Sequence, residues 1–162
     1  MGTRILIDGN DGIGKTTLAK RLGKELNVHS YIHLSYNDPR TFGFYNQIIE
    51  KDNAIFDRSF MDEVIYSDVF NRPCLLTDSQ VNYLHERLKE LDVIVIIAHS
   101  DEKVYDKKEH PEVIAKEYHI DNYFKDLAKK YNYIVYDTRR DSYKALVSKL
   151  RAIIDKGGST VE

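Results

Sequence analysis

Apolar runs of strand length alternate along this chain with longer stretches in which apolar residues recur every three or four positions. A short apolar run bounded by turn residues indicates a β-strand, whereas the wider spacing indicates an amphipathic helix. Strands are predicted at 4–8, 31–34, 53–57, 92–98 and 133–136, and helices at 16–26, 44–51, 61–70, 77–91, 111–131 and 141–156. Strands that alternate with helices predict an α/β fold with a parallel sheet.

Local signals support these boundaries. The unbroken apolar run at 93–98 favours a central strand that is covered on both faces. Thr77 and Gln80 have capping-box spacing ahead of a helix, and Pro111 suits the first turn of another. Gly157 ends the last helical pattern. We therefore predict one domain over 1–157, with a lid at about 100–110 and a flexible tail at 158–162.

Composition is that of an ordinary globular protein and removes several classes of function. Of 162 residues, 42% are hydrophobic and 31% are charged. No apolar run approaches the roughly 20 residues of a membrane helix, and the early first strand leaves no room for a signal peptide. Basic and acidic residues number 24 and 26, so bulk nucleic-acid binding is not expected. We expect a cytoplasmic protein, and both a monomer and a homodimer are compatible with the sequence.

The strongest motif lies between the first predicted strand and the first predicted helix. Residues 9–16 match the phosphate-loop pattern G-x-x-x-x-G-K-[ST]. Glycines let main-chain N–H groups approach a polyphosphate, and the start of the helix adds unpaired donors. Lys15 supplies charge for the β- and γ-phosphates, and the Thr16 hydroxyl is a Mg²⁺ ligand. The predicted nucleoside triphosphate site comprises Gly9, Asp11, Gly12, Ile13, Gly14, Lys15, Thr16 and Thr17.

A second carboxylate motif follows the third predicted strand. Asp57 ends this strand and should lie at the carboxyl edge of the sheet, near the phosphate loop. There Asp57 can hold Mg²⁺, directly or through water, while Arg58 neutralises charge on a transferring phosphoryl group. From position alone, a helix-capping Asp beside a surface Arg is an equal alternative. The phosphate loop favours the functional interpretation.

These two motifs resemble those of a known enzyme family. The sequence at 7–17 is similar to the opening of thymidylate kinases, and 57–66, which ends with Tyr66, resembles their Asp-Arg motif. Together with Arg72, the pattern looks closest to small thymidylate kinase-like proteins of phages and bacteria, and Asp57-Arg58-Ser59 also resembles deoxynucleoside kinases. The resemblance implies a five-stranded parallel sheet in the order 2-3-1-4-5, ATP as phosphoryl donor, and Mg²⁺.

The resemblance also directs attention to Asp38, which precedes Pro39 after the second predicted strand. In these kinases a carboxylate followed by proline lies near the acceptor, so Asp38 is a candidate for orienting or deprotonating the acceptor oxygen. An Asn-Asp-Pro turn without a chemical role is the alternative. Aromatic side chains nearby can stack on a nucleobase. The candidate acceptor residues are Asp38, Phe42, Tyr45, Arg58, Tyr66 and Arg72, and the candidate catalytic residues are Lys15, Asp38, Asp57 and Arg58.

The region after the fourth strand departs from the family pattern. The family usually carries lid arginines there, but residues 99–110 contain none. Lys103 and Lys107 lack the planar fork of arginine and would be imperfect replacements; a solvated charged loop is the alternative. Arg139 and Arg140 follow the last strand, where the donor adenine would bind. The missing arginines affect the expected rate of transfer more than nucleotide binding.

The preferred prediction is a Mg²⁺- and ATP-dependent kinase of a deoxynucleoside monophosphate, similar to thymidylate kinase. A deoxynucleoside kinase is the nearest alternative; it needs a working base, so Asp38→Asn should abolish its turnover. A nucleotide-binding protein without catalysis is a further alternative, because the lid lacks arginine. A GTPase is disfavoured, since no Asn-Lys-x-Asp motif occurs and no Asp-x-x-Gly follows the third strand. The six histidines show no metal-ligand spacing, so no transition-metal site is predicted.

Overall fold

The strands form one parallel sheet whose order places the first strand at its centre. The computed structural model describes residues 2–101 and 111–157. The sheet runs β2-β3-β1-β4-β5, and all four neighbouring pairs are parallel. This confirms the predicted fold class and strand order. The strands are β1 (Arg4–Gly9), β2 (Ser30–His33), β3 (Ala54–Asp57), β4 (Ile94–His99) and β5 (Ile134–Asp137).

The helices follow the predicted order, with ends displaced by a few residues. In the helix after β3, the Ser59 side chain accepts from the Met61 N–H. The predicted capping box is present, since Thr77 and Gln80 satisfy each other's backbone N–H groups. The helices are α1 (Lys15–Glu25), α2 (Phe42–Ile48), α3 (Phe60–Val69), α4 (Asp78–Glu90), α5 (Pro111–Tyr131) and α6 (Tyr143–Asp155). The helix α2 begins two residues before the predicted start, because Thr41 caps it by accepting from the Phe44 N–H.

Two apolar cores lie on the two faces of the sheet, because successive strand residues point to opposite sides. Leu6 packs with residues of α3, α4 and α5, including Phe60, Leu84 and Phe124. Ile5 and Ile7 pack on the other face with residues of α1 and α6, including Leu18, Leu22, Leu146 and Leu150. Helices therefore cover both faces, as the unbroken apolar strands predict.

The parallel register brings the carboxyl ends of β2, β3 and β1 to one edge of the sheet. Asp57 pairs in register with Ile7 on one side and with His33 on the other. The chain then turns sharply at Arg58, which has a φ of 79° and donates its N–H to the Ile7 carbonyl at 2.9 Å. The loops that follow these strands therefore converge on one region.

Some predicted features lie outside the described residues. These are Lys103, Lys107 and most of the predicted lid, together with the tail at 158–162. Within the described parts of the chain, no helix combines the length and apolar character that crossing a bilayer requires.

Candidate functional site: a phosphate loop joined to an acceptor cavity

The loop between β1 and α1 has a backbone that only glycine adopts without strain at two positions. Gly9 has a φ of 141°, and a Cβ there would lie 2.1 Å from the Ala98 carbonyl oxygen on β4. Gly14 has a φ of 94° and is the residue from which α1 begins. The loop therefore turns closely around the start of α1 and presents its main-chain amides to one side.

The side chains of Lys15 and Asn10 hold this loop in place. The Lys15 side chain is buried, and its Nζ donates to the Gly9 carbonyl at 2.8 Å and to the Asn10 carbonyl at 2.5 Å. Asn10 Nδ2 donates to the Glu117 carbonyl of α5 at 2.9 Å. The loop is thus tied to the helix that follows the predicted lid.

A cleft of about 200 Å³ lies over the loop and brings eight predicted residues together. Its lining includes the loop residues Lys15 and Thr16 and the β3 residues Asp57 and Arg58, with His33 beside them. Gly12, Gly14 and Thr17 line the same cleft, and Asp11 borders it. These residues are separated by about forty positions in sequence and meet because β1 and β3 are neighbours.

Asp57 is buried at the centre of three donors. Its Oδ2 accepts from the Thr16 hydroxyl at 2.7 Å and from the Tyr31 hydroxyl at 2.5 Å, and His33 Nδ1 lies 3.2 Å away. Burial alone would raise the pKa of Asp57, but the hydrogen bonds from Tyr31, Thr16 and His33 outweigh burial and hold the pKa below its usual value. Asp57 is therefore an ionised carboxylate in the folded protein at neutral pH.

The other oxygen of Asp57 fits a hydrated Mg²⁺. Oδ1 is buried and has no hydrogen-bond partner among the described residues. Magnesium prefers a few hard oxygen ligands and keeps several waters. An ionised carboxylate with a free oxygen, beside the Thr16 hydroxyl, supplies that chemistry.

Arg58 connects the loop to a second acidic group. Its guanidinium pairs with the Asp11 carboxylate, and its Nη1 lies 3.5 Å from Asp62 Oδ2. Arg58 therefore lies between the phosphate loop and α3.

Asp62 in turn meets Asp8, and the two carboxyl groups are hydrogen-bonded to each other. Asp8 is fully buried; its Oδ1 accepts from the Gly9 N–H at 2.8 Å and its Oδ2 from the Ser59 hydroxyl at 2.6 Å. Burial raises the pKa of both groups, and that of Asp62 rises well above the usual range because the Asp8 charge adds to burial. We call these two residues the acid pair.

A cavity of about 210 Å³ opens beside Arg58 and the acid pair. One part of its lining, which we call the loop group, consists of Asp11, Arg58, Ser59 and Asp62. Another part, the arginine group, consists of Tyr36, Arg40, Glu63 and Arg72.

The arginine group is ordered by its own contacts. Arg40 Nη1 donates to the buried Glu63 carboxylate at 3.0 Å. The Arg40 guanidinium carbon lies 4.0 Å from the centre of the Tyr36 ring, and that of Arg72 lies 5.3 Å from it. Tyr45, Tyr66 and Leu34 add apolar and aromatic surface to the cavity. A flat, partly polar ligand suits this lining.

Four of the six predicted acceptor residues line this cavity: Tyr45, Arg58, Tyr66 and Arg72. Phe42 instead packs edge-on against Tyr83 at a centroid distance of 5.5 Å. Asp38 accepts from the Ser35 N–H at 2.6 Å and is not part of the cavity lining. Its carboxylate closes the turn after β2, which is the local bonding that Asp readily makes in turns.

A cleft of about 390 Å³ on the other side of the loop holds one of the two predicted donor-side arginines. Arg139 lines it together with Thr138 and Tyr143 and with loop residues that include Ile13. Arg140 does not line it. The backbone N–H groups of Arg139 and Arg140 donate to Asp137 Oδ1 at 2.9 and 3.1 Å, which fixes the turn after β5.

Sequence reasoning did not single out Tyr31, His33, Asp8 or Asp62 as parts of the site. The spacing of Asp8 and Asp62 carries no motif, and Tyr31 and His33 read as ordinary strand residues. The alternation of β2 is a signal that could have found the last two: residues 31 and 33 share one face, and His33 is level with Asp57.

Comparisons with known proteins address the fold directly. No protein-family model matches the chain. In the crystal structure of the Bacillus subtilis YorR protein in complex with phosphorylated GDP, the match has a TM-score of 0.75, with 20% identity over 96% of this chain and 97% of that one. Thymidylate kinase from Candida albicans matches with a TM-score of 0.55 and 16% identity over 96% of this chain and 92% of that one. The fold is that of the P-loop kinases.

Sequence comparison finds relatives that match part of the chain. The SPbeta prophage-derived uncharacterized protein YorR of Bacillus subtilis is 27% identical over 111 residues, which cover 65% of this chain and 67% of that protein. Deoxyadenosine kinase of Dictyostelium discoideum is 32% identical over 104 residues, which cover 50% of this chain and 42% of that enzyme. The matched segment is thus less than half of the deoxyadenosine kinase.

Proposed function

We propose that this protein transfers the γ-phosphoryl group of ATP to a nucleoside or a nucleoside monophosphate, with Mg²⁺ as the metal. One observation carries the proposal: Arg58 lines two neighbouring spaces. One is the cleft that holds the phosphate loop and Asp57, and the other is the aromatic cavity. The kinases among its relatives, and a YorR structure that holds a guanine nucleotide, support nucleotide chemistry.

The loop residues have clear parts in such a reaction. The amides of 9–16 surround the donor phosphates, and Lys15 Nζ exchanges its two loop carbonyls for phosphate oxygens. Thr16 and Asp57 would hold the metal: Asp57 Oδ2 is fixed by Tyr31 and His33, and its Oδ1 has no hydrogen-bond partner among the described residues. When bound there, Mg²⁺ neutralises charge on the β- and γ-phosphates.

Arg58 acts between donor and acceptor. Asp11 and Asp62 hold the guanidinium at the border of the cleft and the cavity. A fixed cation at this border stabilises the charge that spreads over the transferring phosphoryl group.

The two remaining cavities take the two substrates. The donor base occupies the cleft lined by Arg139 and Tyr143. The acceptor base lies between Tyr66 and Tyr45, with the arginine group at its polar edges. Whether the acceptor is a monophosphate such as thymidylate or a nucleoside depends on the loop group.

A coupled assay of ADP release tests the proposal. We expect ADP to form only when Mg²⁺, ATP and a member of a panel of deoxynucleosides and their monophosphates are all present. Lys15→Ala should lower that rate by at least about 100-fold, because it removes a fixed charge from the transition state. Lys156→Ala, at an exposed position directly after α6, is the control and should match the unchanged protein. Background ADP release with every acceptor would contradict the proposal.

Nucleotide binding without catalysis is a second candidate, favoured by the absence of arginine from 99–110. Calorimetry separates it from the first: it requires tight ATP binding by a protein that transfers phosphate to no member of the panel. A cytoplasmic location, a single domain over 1–157 and the choice between monomer and homodimer stay predictions.

A further inference from the structure

We propose that Asp62, backed by Asp8, is the catalytic residue that accepts a proton from the acceptor, and that the reacting group of the acceptor is therefore a hydroxyl. This inference rests on the proposed function and narrows its substrate class to nucleosides that carry a free hydroxyl group.

The position of Asp62 is the first support. Asp62 lines the acceptor cavity together with Asp11 and Arg58, the two residues through which this cavity reaches the phosphate loop. Its Oδ2 lies 3.5 Å from Arg58 Nη1, next to the place proposed for the transferring phosphoryl group. A proton acceptor must lie within hydrogen-bond reach of the attacking oxygen, and the described cavity has this carboxyl group at its loop side.

The bonding of the acid pair is the second support. Asp62 Oδ1 is buried, and no N–H or side-chain hydroxyl donates to it, so the oxygen that can meet the acceptor hydroxyl is Oδ2, beside Arg58. Its neighbour is the Asp8 carboxyl, whose two oxygens already accept from Gly9 and Ser59. Two carboxylates in buried contact cannot both be ionised, so the pair shares one proton. A pair that holds one proton can accept a second proton.

Asp8 completes a relay. When Asp62 takes the hydroxyl proton, the shared proton can pass to Asp8, which has no solvent-exposed surface. The acceptor O–H bond breaks as its oxygen forms a bond to the γ-phosphorus of ATP. The bond from that phosphorus to the bridging oxygen breaks, and ADP leaves with the electron pair. The doubly protonated pair returns one proton to water after the products leave.

The charges of the loop group favour a neutral acceptor over a phosphate at this side of the cavity. Its cation, Arg58, is already paired with the Asp11 carboxylate and lies 3.5 Å from Asp62 Oδ2. An acceptor phosphate placed against Asp62 would meet the negative charge that the acid pair keeps, and like charges at contact distance in a partly buried site repel each other. Arg40 and Arg72 belong to the arginine group, which is the other part of the lining. A hydroxyl acceptor needs no free cation beside Asp62.

The other carboxylates near the cavity already accept hydrogen bonds from fixed donors. Asp38 is bonded to the Ser35 N–H in its own turn, and Asp57 Oδ2 accepts from two hydroxyl groups. Glu63 accepts from Arg40, from Ser67 and from the Leu75 N–H. Among the described residues that line the cavity, Asp62 is the acid next to Arg58 whose Oδ1 lacks a fixed donor.

The substitution Asp62→Asn tests the role, with Asp68→Asn on the exposed side of the same helix as control. Product formation is measured directly for deoxynucleosides and for monophosphates, and ATP affinity is measured by calorimetry. We expect the unchanged protein to phosphorylate nucleosides. Asp62→Asn should lower kcat by about 10²–10⁴-fold, with KM for the nucleoside and the affinity for ATP changed by no more than about threefold, and Asp68→Asn should change nothing. Asp62→Glu, which restores a carboxylate, should recover at least about tenfold of the lost kcat.

Each outcome decides the proposal. Loss of kcat alone in Asp62→Asn, with recovery in Asp62→Glu, supports it. Transfer to monophosphates but not to nucleosides overturns it while leaving the proposed kinase function intact, and this result needs no variant to fold. An Asp62→Asn protein that retains its kcat also overturns it. Failure of the unchanged protein to transfer phosphate to any acceptor overturns the kinase function itself.

Discussion

Asp57 and the acid pair are two largely buried acidic centres on either side of Arg58, and their pKa values are shifted in opposite directions. Asp57 has two hydroxyl donors and a histidine on one oxygen, and its pKa lies below the usual value. Asp8 and Asp62 face each other, and the pKa of both lies above it. Burial on its own would raise the pKa at both centres. The donors around each oxygen therefore decide whether a buried acid carries charge.

The two centres therefore suit different chemical roles. An ionised carboxylate with one free oxygen suits a divalent cation, whereas a pair that holds one proton suits proton transfer. The structure places both within reach of the phosphate loop, the first through Thr16 and the second through Gly9.

The largest expected effect comes from removing the charged centre. Asp57→Asn keeps the size of the side chain but removes the metal-binding charge, so kcat should fall by about 10²–10³-fold. Raising Mg²⁺ should restore little of it. The measurement is the initial rate as a function of Mg²⁺ concentration, with Asp68→Asn as the matched control. A rate within threefold of the unchanged protein would contradict the metal-binding role of Asp57.

A smaller effect is expected from the donors that orient Asp57. Tyr31→Phe deletes one hydroxyl from Oδ2 without changing the ring. Loss of a partner that orients a metal ligand typically weakens metal affinity by 10–100-fold, so the Mg²⁺ concentration for half-maximal rate should rise by about tenfold at unchanged maximal rate. Tyr83→Phe, at an exposed tyrosine outside the site, should leave it unchanged. Equal Mg²⁺ curves for all three proteins would show that Tyr31 does not orient Asp57.

The contributions of the two centres to the free energy of unfolding should change with pH in opposite directions. The pKa of Asp62 is raised in the fold, so its contribution to stability is full below the unfolded value near 3.8 and is lost as pH rises through the folded value. The pKa of Asp57 is lowered, so its contribution is present above 3.8 and is lost as pH falls. Relative to the unchanged protein, Asp62→Asn should therefore become more stable as pH rises above about 4. Asp57→Asn should become less stable as pH rises from about 2 to 5 and should change little above that.

Urea unfolding of both variants at several pH values measures this contrast. Parallel curves for Asp57→Asn and Asp62→Asn would contradict the assignment of opposite pKa shifts to these two residues.

A third buried group, His85, provides a reference because it is a base rather than an acid. Its Nδ1 lies 2.5 Å from the Tyr133 hydroxyl, and its Nε2 has no hydrogen-bond partner among the described residues. Burial lowers the pKa of His85 to about 3, and its ring stacks on Tyr131 at 3.8 Å. Because the unfolded chain binds this proton near pH 6.5, stability should fall as pH drops below that value, by at most about 1.4 kcal/mol per pH unit. His85→Asn should remove this slope in urea unfolding between pH 6.5 and 5. If the pH dependence of stability is the same in His85→Asn, a group other than His85 is responsible for it.

Much of the fold and half of the site follow from patterns that are contiguous in sequence. Apolar periodicity predicts the alternating strands and helices, and the phosphate loop needs only eight consecutive residues. Asp57 and Arg58 could be placed because the carboxyl ends of parallel strands share an edge. The strand order came from the resemblance, since periodicity alone does not say which strands are neighbours.

The rest depends on contacts that no local pattern encodes. The acid pair joins residues 54 positions apart, and it forms because α3 turns back over β1 after Arg58. Asp38 was predicted from the family resemblance and Phe42 from its residue type, yet Asp38 closes a turn by a hydrogen bond and Phe42 packs against Tyr83, and neither lines the cavity. Such choices are made by packing and by hydrogen-bond partners from other elements.

The most direct test of the central claim follows the phosphorus atom itself. In ³¹P NMR of the unchanged protein with ATP, Mg²⁺ and deoxynucleosides, we predict that the γ-phosphate signal decreases while a phosphomonoester signal and ADP increase in equal amounts. Signals that stay constant with every nucleoside and every monophosphate would contradict a phosphoryl-transfer site made of this loop, Asp57 and the adjoining cavity.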